Sequence, residues 1–196
     1  MNDLLGPLVL FAAVMCLTPG PNVVLATASA ANFGFRRTLP QIAGVTAGFG
    51  VQVLAAGLGL AGLFQAEPRL HTALKYAGAA YLLWLAWRIA TAASAKAGTR
   101  ARPLGFVEGV LVTWVNPKGW VTTIGALAAF TRLDGDVALQ TAVIALVLAA
   151  ACGGSLLLWA GFGAVIARWL TRPGARRAFN GAMGGLLVLS LAPVFA

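Results

Sequence analysis

The sequence predicts an all-α integral membrane protein with six transmembrane helices, arranged as two inverted three-helix repeats. Of its 196 residues, 60% are hydrophobic and only 10% are charged, whereas a soluble domain is nearer half apolar and a quarter charged. Uncharged stretches at 41–64 and 137–166 are longer than the ~20 residues that cross a bilayer. The third observation is a proline-containing break within the first and the fourth apolar segments.

The first predicted span, 4–33, is interrupted by Thr18-Pro19-Gly20-Pro21-Asn22. Proline has no amide hydrogen and clashes with the preceding turn, so a helix does not continue through it unbroken. Backbone groups freed inside lipid are tolerated only where protein or a water-filled cavity covers them. We therefore expect this break to face a cavity.

The second and third spans, 38–64 and 72–93, are predicted to be continuous. The second is rich in glycine, and Gly44 with Gly48 has the four-residue spacing that lets helices pack closely in lipid. A linker at 94–103 follows the third span and is rich in alanine and basic residues. We interpret it as the joint between two halves of a single transport domain, 1–196.

The fourth span, 104–130, is broken at Asn116-Pro117-Lys118, and the fifth and sixth spans follow at 137–167 and 178–194. Two further glycine pairs have the close-packing spacing. They are Gly105 with Gly109 and Gly181 with Gly185. A homodimer through one of these glycine faces is the alternative to packing within the chain.

The loop charges predict the orientation in the membrane. Ten basic residues fall in loops one, three and five, and three fall in loops two and four. Basic loops stay on the cytoplasmic side, so the odd-numbered loops are predicted to be cytoplasmic and both termini to lie outside. The net charge of +9 is explained in this way, and no nucleic-acid partner is expected.

The two halves, 4–93 and 104–195, each contain three spans and begin with a broken one. An odd number of spans per half means that the second half enters the membrane from the opposite side. Secondary transporters of this kind place paired broken helices at the bilayer midplane, around the transport site. The sequence therefore predicts that the two breaks face each other.

Each break creates a new helix N-terminus, whose amides and partial positive charge suit a carboxylate. The predicted binding residues come from both breaks. They are Thr18, Pro19, Gly20, Pro21, Asn22, Asn116, Pro117 and Lys118. A lysine in mid-membrane usually faces a cavity or a partner. Lys118 could hold a carboxylate, pair with Glu108, or cap carbonyls freed by Pro117.

Glu108 has two interpretations. It is an interfacial carboxylate that reaches water or Arg102, or it carries a proton that is coupled to cargo movement. Burial would shift its titration toward the working pH.

Cofactor and metal sites are not predicted. Cys16 and Cys152 stand in separate apolar spans, outside any CxxC or Cys/His cluster. We interpret them as buried and unreactive. A divalent-cation exporter would need several carboxylates inside spans, and Glu108 is the only one.

The residue motifs at the two breaks resemble those of a known family. Leu17-Thr18-Pro19-Gly20-Pro21-Asn22 followed by Gly34-Phe35-Arg36-Arg37, together with Trp114-Val115-Asn116-Pro117-Lys118, resembles the signatures of LysE/RhtB-type amino-acid exporters. The resemblance covers nearly the whole chain. It implies a bacterial inner-membrane transporter that exports an amino acid or a derivative, driven by the proton gradient, rather than an enzyme.

Two alternatives stay open at this stage. One is a divalent-cation exporter of the same superfamily. The other is a membrane thiol–disulfide electron carrier, which needs a cysteine near each break. Cys16 is near the first break, but Cys152 lies in the fifth span, and a disulfide requires Cα atoms within ~7 Å.

Overall fold

The computed structural model describes residues 2–60, 68–91, 102–132 and 136–190, which form eight α-helices and no strand. The helices are α1 (Asn2–Leu17), α2 (Pro21–Phe33), α3 (Phe35–Ala55), α4 (Pro68–Thr91), α5 (Phe106–Trp114), α6 (Pro117–Phe130), α7 (Val137–Ala167) and α8 (Pro173–Leu189). A five-residue π-helical turn, Ala56–Leu60, extends α3. The prediction of an all-helical chain is confirmed.

Among the described residues, two helical segments are long and apolar enough to cross a membrane, Phe35–Gly59 and Val137–Ala167. α1 and α2 would together make a third span, bent by 55° at the first break. Most of the predicted linker and the ends of the second and sixth spans lie outside the described residues. The count of six spans stays a prediction.

Both proline motifs begin new helices. α2 starts with Pro21 after an extended Gly20, and α6 starts with Pro117 after an extended Asn116. Proline suits the first position of a helix because its missing amide hydrogen would have no partner there. The helices break where the sequence analysis placed the breaks.

Helix α7 is the centre of the packing. It contacts α1, α2 and α3, while α3 contacts α5 as well and α4 packs against α8. Asn32 on α2 and Asn180 on α8 exchange side-chain hydrogen bonds of 2.8 and 3.1 Å. These contacts hold the helices around the two breaks.

The predicted close packing is confirmed for Gly44 and Gly48 on α3 and for Gly109 on α5, but not for Gly105. A Cβ atom at Gly109 would lie 2.5 Å from the carbonyl oxygen of Gln41, and one at Gly44 would overlap the carbonyl oxygen of Phe106. Glycine is required at both positions because the two backbones touch.

Gly181 and Gly185 do not pack closely within the described part of the chain, since no described atom outside their own helix lies within 4 Å of a Cβ at either position. The homodimer alternative for this face stays a prediction. α8 instead presents Gly184 to α4, where an added Cβ would be 2.9 Å from the carbonyl oxygen of Ala86. The contacting face is therefore displaced from the one that the spacing suggested.

Large apolar side chains are exposed on the outside of the helices, while several polar side chains are buried. Leu10, Leu146 and Leu158 are each about two-thirds exposed or more, at 66%, 71% and 68%. Gln52 and Asn180 are completely buried. Apolar residues outside and polar residues inside suit a chain surrounded by lipid, where polar groups avoid the hydrocarbon.

Candidate functional site

The two breaks lie against each other. The Lys118 ammonium, in the first turn of α6, donates a 2.6 Å hydrogen bond to the carbonyl oxygen of Thr18, which follows α1. A Cβ atom at Gly20 would be only 2.9 Å from Cδ of Lys118. The lysine side chain therefore runs directly past Gly20 to reach the first break.

The carbonyls at the end of α1 are satisfied by side chains from the other half of the chain. A helix leaves its last four carbonyls without intrahelical partners. The Ser155 hydroxyl donates to Cys16 O at 2.7 Å, the Trp159 indole donates to Leu17 O at 3.2 Å, and Lys118 donates to Thr18 O. The ammonium thus neutralises the negative end of the α1 dipole.

Ser155 and Trp159 were missed by the sequence analysis. They are four residues apart on α7, so they lie on one face of that helix. The signal available in the sequence was a pair of hydrogen-bond donors at helical spacing in an otherwise apolar span.

A cavity of about 40 Å³ lies at this junction. Its lining includes Cys16, Thr18, Asn22, Asn116, Lys118 and Cys152. Pro21 is buried and Pro19 is exposed, and both shape the backbone of the first break as Pro117 does at the second. The cavity is much smaller than the ~150 Å³ cavity known to bind benzene, so this conformation is a narrow one.

The helix N-terminus at the second break is already capped. Asn116 Oδ1 accepts from the amide of Lys118 at 3.1 Å, and Asn116 O accepts from the amide of Gly119 at 3.0 Å. The amides after Pro117, expected to meet a carboxylate, are therefore occupied by Asn116 itself.

The helix N-terminus at the first break is open. Gly20 has no side chain to cap α2, and among the described side chains none accepts from the amides of Asn22 or Val23. Asn22 Oδ1 is buried, and it has no hydrogen-bond partner in the described part of the chain. Asn22, Val23 and Lys118, which carry these groups, all line the cavity.

A second group of buried polar atoms lies behind the cavity. Gln52 on α3 and Thr123 on α6 have no hydrogen-bond partner among the described residues. Gln52 Oε1 would be 3.1 Å from a Cβ at Gly119. Gln140, by contrast, exchanges hydrogen bonds with the backbone of Arg132 at 2.8 and 2.9 Å.

Glu108 lies away from this cavity and is held by its own neighbours. Arg102 binds both carboxylate oxygens, at 2.6 and 3.0 Å, and the amide of Gly105 donates at 2.7 Å. The contact with Arg102 was expected from the interfacial interpretation, and the alternative pairing of Glu108 with Lys118 is wrong. The role of Glu108 in proton coupling stays a prediction.

The two cysteines are neighbours, contrary to the separation expected from their sequence positions. Both line the cavity, and both are free thiols. The sequence analysis looked for a partner of Cys16 in the symmetry-related span, whereas the structure supplies one from α7, which packs directly on α1.

A second cavity, of about 60 Å³, lies on another side of α2. Its polar lining consists of Ser29, Asn32, Arg88 and Arg102. α2 thus separates it from the cavity at the breaks.

An all-helical chain with an apolar exterior, and with two broken helices that meet at a half-buried lysine, has the architecture of a membrane translocator. The chain matches the family described as LysE type translocator over residues 13–196 and belongs to that family. The resemblance stated from the two break motifs is confirmed.

Similar proteins include two whose names give a cargo. The "Cysteine/O-acetylserine efflux protein" of Salmonella typhimurium (strain LT2) is 39% identical over 121 residues, which is 61% of this chain and 62% of that protein. The "Cysteine/O-acetylserine efflux protein" of Escherichia coli (strain K12) is 37% identical over the same length. The match thus spans less than two thirds of these relatives. No solved structure gives a significant match.

Proposed function

We propose that the chain exports a small amino acid or amino-acid derivative from the cytoplasm by alternating access around the cavity between the two breaks. The observation that carries the proposal is the contact of Lys118 with Thr18, which joins both breaks at a cavity with open hydrogen-bonding groups. The names of the relatives favour cysteine or O-acetylserine as cargo.

The cargo carboxylate would bind the Lys118 ammonium and the open amides of Asn22 and Val23. An anion is stabilised there by the positive end of α2. The cargo ammonium would donate to Asn22 Oδ1, which has no partner among the described residues, and to the Thr18 carbonyl. Discontinuous helices bind zwitterionic cargo in this way because they offer both ends of a helix dipole.

Cargo binding is then coupled to the movement of the two halves of the chain. The carboxylate competes with Thr18 O for Lys118, so binding weakens the hydrogen bond that ties α1 to α6. The cavity also has to widen to admit an amino acid. A ligand that prefers the wider conformation shifts the equilibrium toward it.

The arrangement of the helices supports six spans in two inverted repeats. If α1 through α4 correspond to α5 through α8, then the contact of α7 with α1 corresponds to that of α3 with α5. Exchanging the two repeats swaps α3 with α7 and α4 with α8, so the contact within each of these pairs is left unchanged. We propose an orientation in the bacterial inner membrane with the basic loops in the cytoplasm and both termini outside.

The first test is Lys118→Ala in vesicles loaded with labelled cysteine or O-acetylserine. Efflux should be lost, because the variant removes the charge that binds the carboxylate. Arg132→Ala is the matched control, since it removes a cation from an exposed position outside the cavity and should export normally. Normal efflux by Lys118→Ala at normal abundance would remove Lys118 from the site.

Export is proposed to be coupled to protons. Whether Glu108 carries the coupled proton is a separate question, which Glu108→Gln tests. Glutamine can still accept from the amide of Gly105, but it cannot bind and release a proton. Because Glu108 is engaged by Arg102 and Gly105, we expect the variant to keep export driven by an imposed pH gradient. Loss of the response to pH, with exchange of cargo retained, would identify Glu108 as the coupling group.

A further inference from the structure

The thiols of Cys16 and Cys152 are placed for reaction with each other. Cys16 Sγ is 4.0 Å from the carbonyl oxygen of Leu148 on α7. In an α-helix this carbonyl accepts the amide hydrogen of the residue four positions later, which is Cys152. Cys16 and Cys152 also line the same cavity, so their side chains are neighbours.

The backbone is fixed next to this contact. The Ser155 hydroxyl donates to Cys16 O at 2.7 Å, and the Trp159 indole donates to Leu17 O at 3.2 Å. Cys16 is thus held on the face of α7 that carries Leu148, Cys152 and Ser155. Close backbones are the first requirement for a disulfide, whose Cα atoms are separated by at most ~7 Å.

The surroundings favour reaction at Cys16. It is partly exposed to the cavity, whereas Cys152 is only 7% exposed. The thiolate is the nucleophilic form of cysteine, and an exposed thiol meets an attacking partner more readily than a buried one. Cys16 would therefore attack first and Cys152 would follow.

We propose that Cys16 and Cys152 are a redox-active dithiol that a small disulfide such as cystine converts into an intramolecular disulfide. In the wider conformation, which admits cystine to the cavity, the Cys16 thiolate attacks one sulfur of cystine, forms a mixed disulfide and releases one cysteine as the thiolate. The Cys152 thiol loses its proton and attacks the Cys16 sulfur, which releases the second cysteine. The protein dithiol is oxidised, cystine is reduced to two cysteines, and the two protons released by the protein balance the two new thiols.

The bond would stop export, and this consequence rests on the proposed function. It would join α1, in the first half of the chain, to α7, in the second half, beside both breaks. Alternating access requires these halves to move around the cavity. Oxidised chains would therefore be locked in one conformation until a reductant cleaves the bond.

The first experiment counts thiols in the purified full chain, so it does not depend on transport. The protein is treated with cystine, quenched with acid, unfolded and labelled with a maleimide before its mass is measured. We expect a monomer that has lost two hydrogen atoms and takes up no maleimide. A persistent cysteine adduct, two labelled thiols or a disulfide between two chains would overturn the proposal.

The second experiment measures export by proteoliposomes before and after cystine treatment. The ratio of the two rates should fall in wild type in proportion to the fraction of chains with the internal disulfide, and a reductant should restore it. In Cys16→Ser, which lacks the attacking thiol, the ratio should stay near that of untreated protein. Cys152→Ser cannot resolve the mixed disulfide and should instead retain one added cysteine on Cys16. Unchanged export by a fully oxidised wild type would contradict the claim that the disulfide stops export. If reduced wild type exports nothing, the proposed function is wrong. The thiol count would still show whether the internal disulfide forms.

Discussion

At the scale of single residues, the site depends on Lys118, whose side chain runs past Gly20 to the carbonyl oxygen of Thr18. Lys118 was recognisable in the sequence because a cation inside an apolar span needs a partner. Its partner was not recognisable, because a backbone carbonyl has no sequence signal. Capping of carbonyls freed by Pro117 was one of three predicted roles for Lys118, and in the structure the lysine caps a carbonyl of the other break instead.

Gly20→Ala tests this contact. The new methyl group would displace Cδ of Lys118 and break the hydrogen bond to Thr18, which as a charged hydrogen bond is worth about 1.5–3 kcal/mol. We expect a lower thermal midpoint for the purified variant. Gly6→Ala is the control, because no described atom outside its own helix lies within 4 Å of a Cβ there.

The effect of Gly20→Ala should largely disappear in a Lys118→Ala background, where the atom that clashes is absent. Residues in contact show such non-additive effects. Equal destabilisation in both backgrounds would mean that the methyl group disturbs the backbone of the break and not the lysine.

At the scale of the helices, proline motifs predicted the structure more reliably than glycine spacing did. Proline motifs located both breaks, because the loss of the amide hydrogen is a local property of the chain. Glycine spacing identified the contact of α3 with α5 but failed on α8, where Gly184 is in contact and Gly181 and Gly185 are not. Which face of a helix is covered depends on its neighbours, which spacing alone does not specify.

Gly44→Ala tests the contact between α3 and α5. The added methyl group meets the carbonyl of Phe106, a backbone atom that cannot move aside without separating the helices. Overpacking of this kind typically costs about 1–3 kcal/mol, so the unfolding midpoint should fall. Gly154→Ala, on α7, adds the same group where no described atom outside the helix lies within 4 Å, and should be neutral or slightly stabilising. Equal midpoints for both variants would contradict the close contact.

At the scale of the whole molecule, the sequence predicted the class of fold and the meeting of the two breaks from matched positions in two halves. The proximity of Cys16 to Cys152 was not predicted, because a partner was expected only in the symmetry-related span. The helix contacts show instead that α1 packs on α7. The open amides at Asn22 were predicted, but the self-capping of Asn116 was not, because capping depends on a side-chain rotamer.

The central claim is that a cargo carboxylate takes the place of the Thr18 carbonyl at Lys118. Binding of cysteine and of cysteinamide, which lacks the carboxylate, to purified wild type and Lys118→Ala tests it most directly. We predict that wild type binds cysteine more tightly than cysteinamide and that Lys118→Ala does not distinguish them. The same preference for cysteine in both proteins would contradict the account.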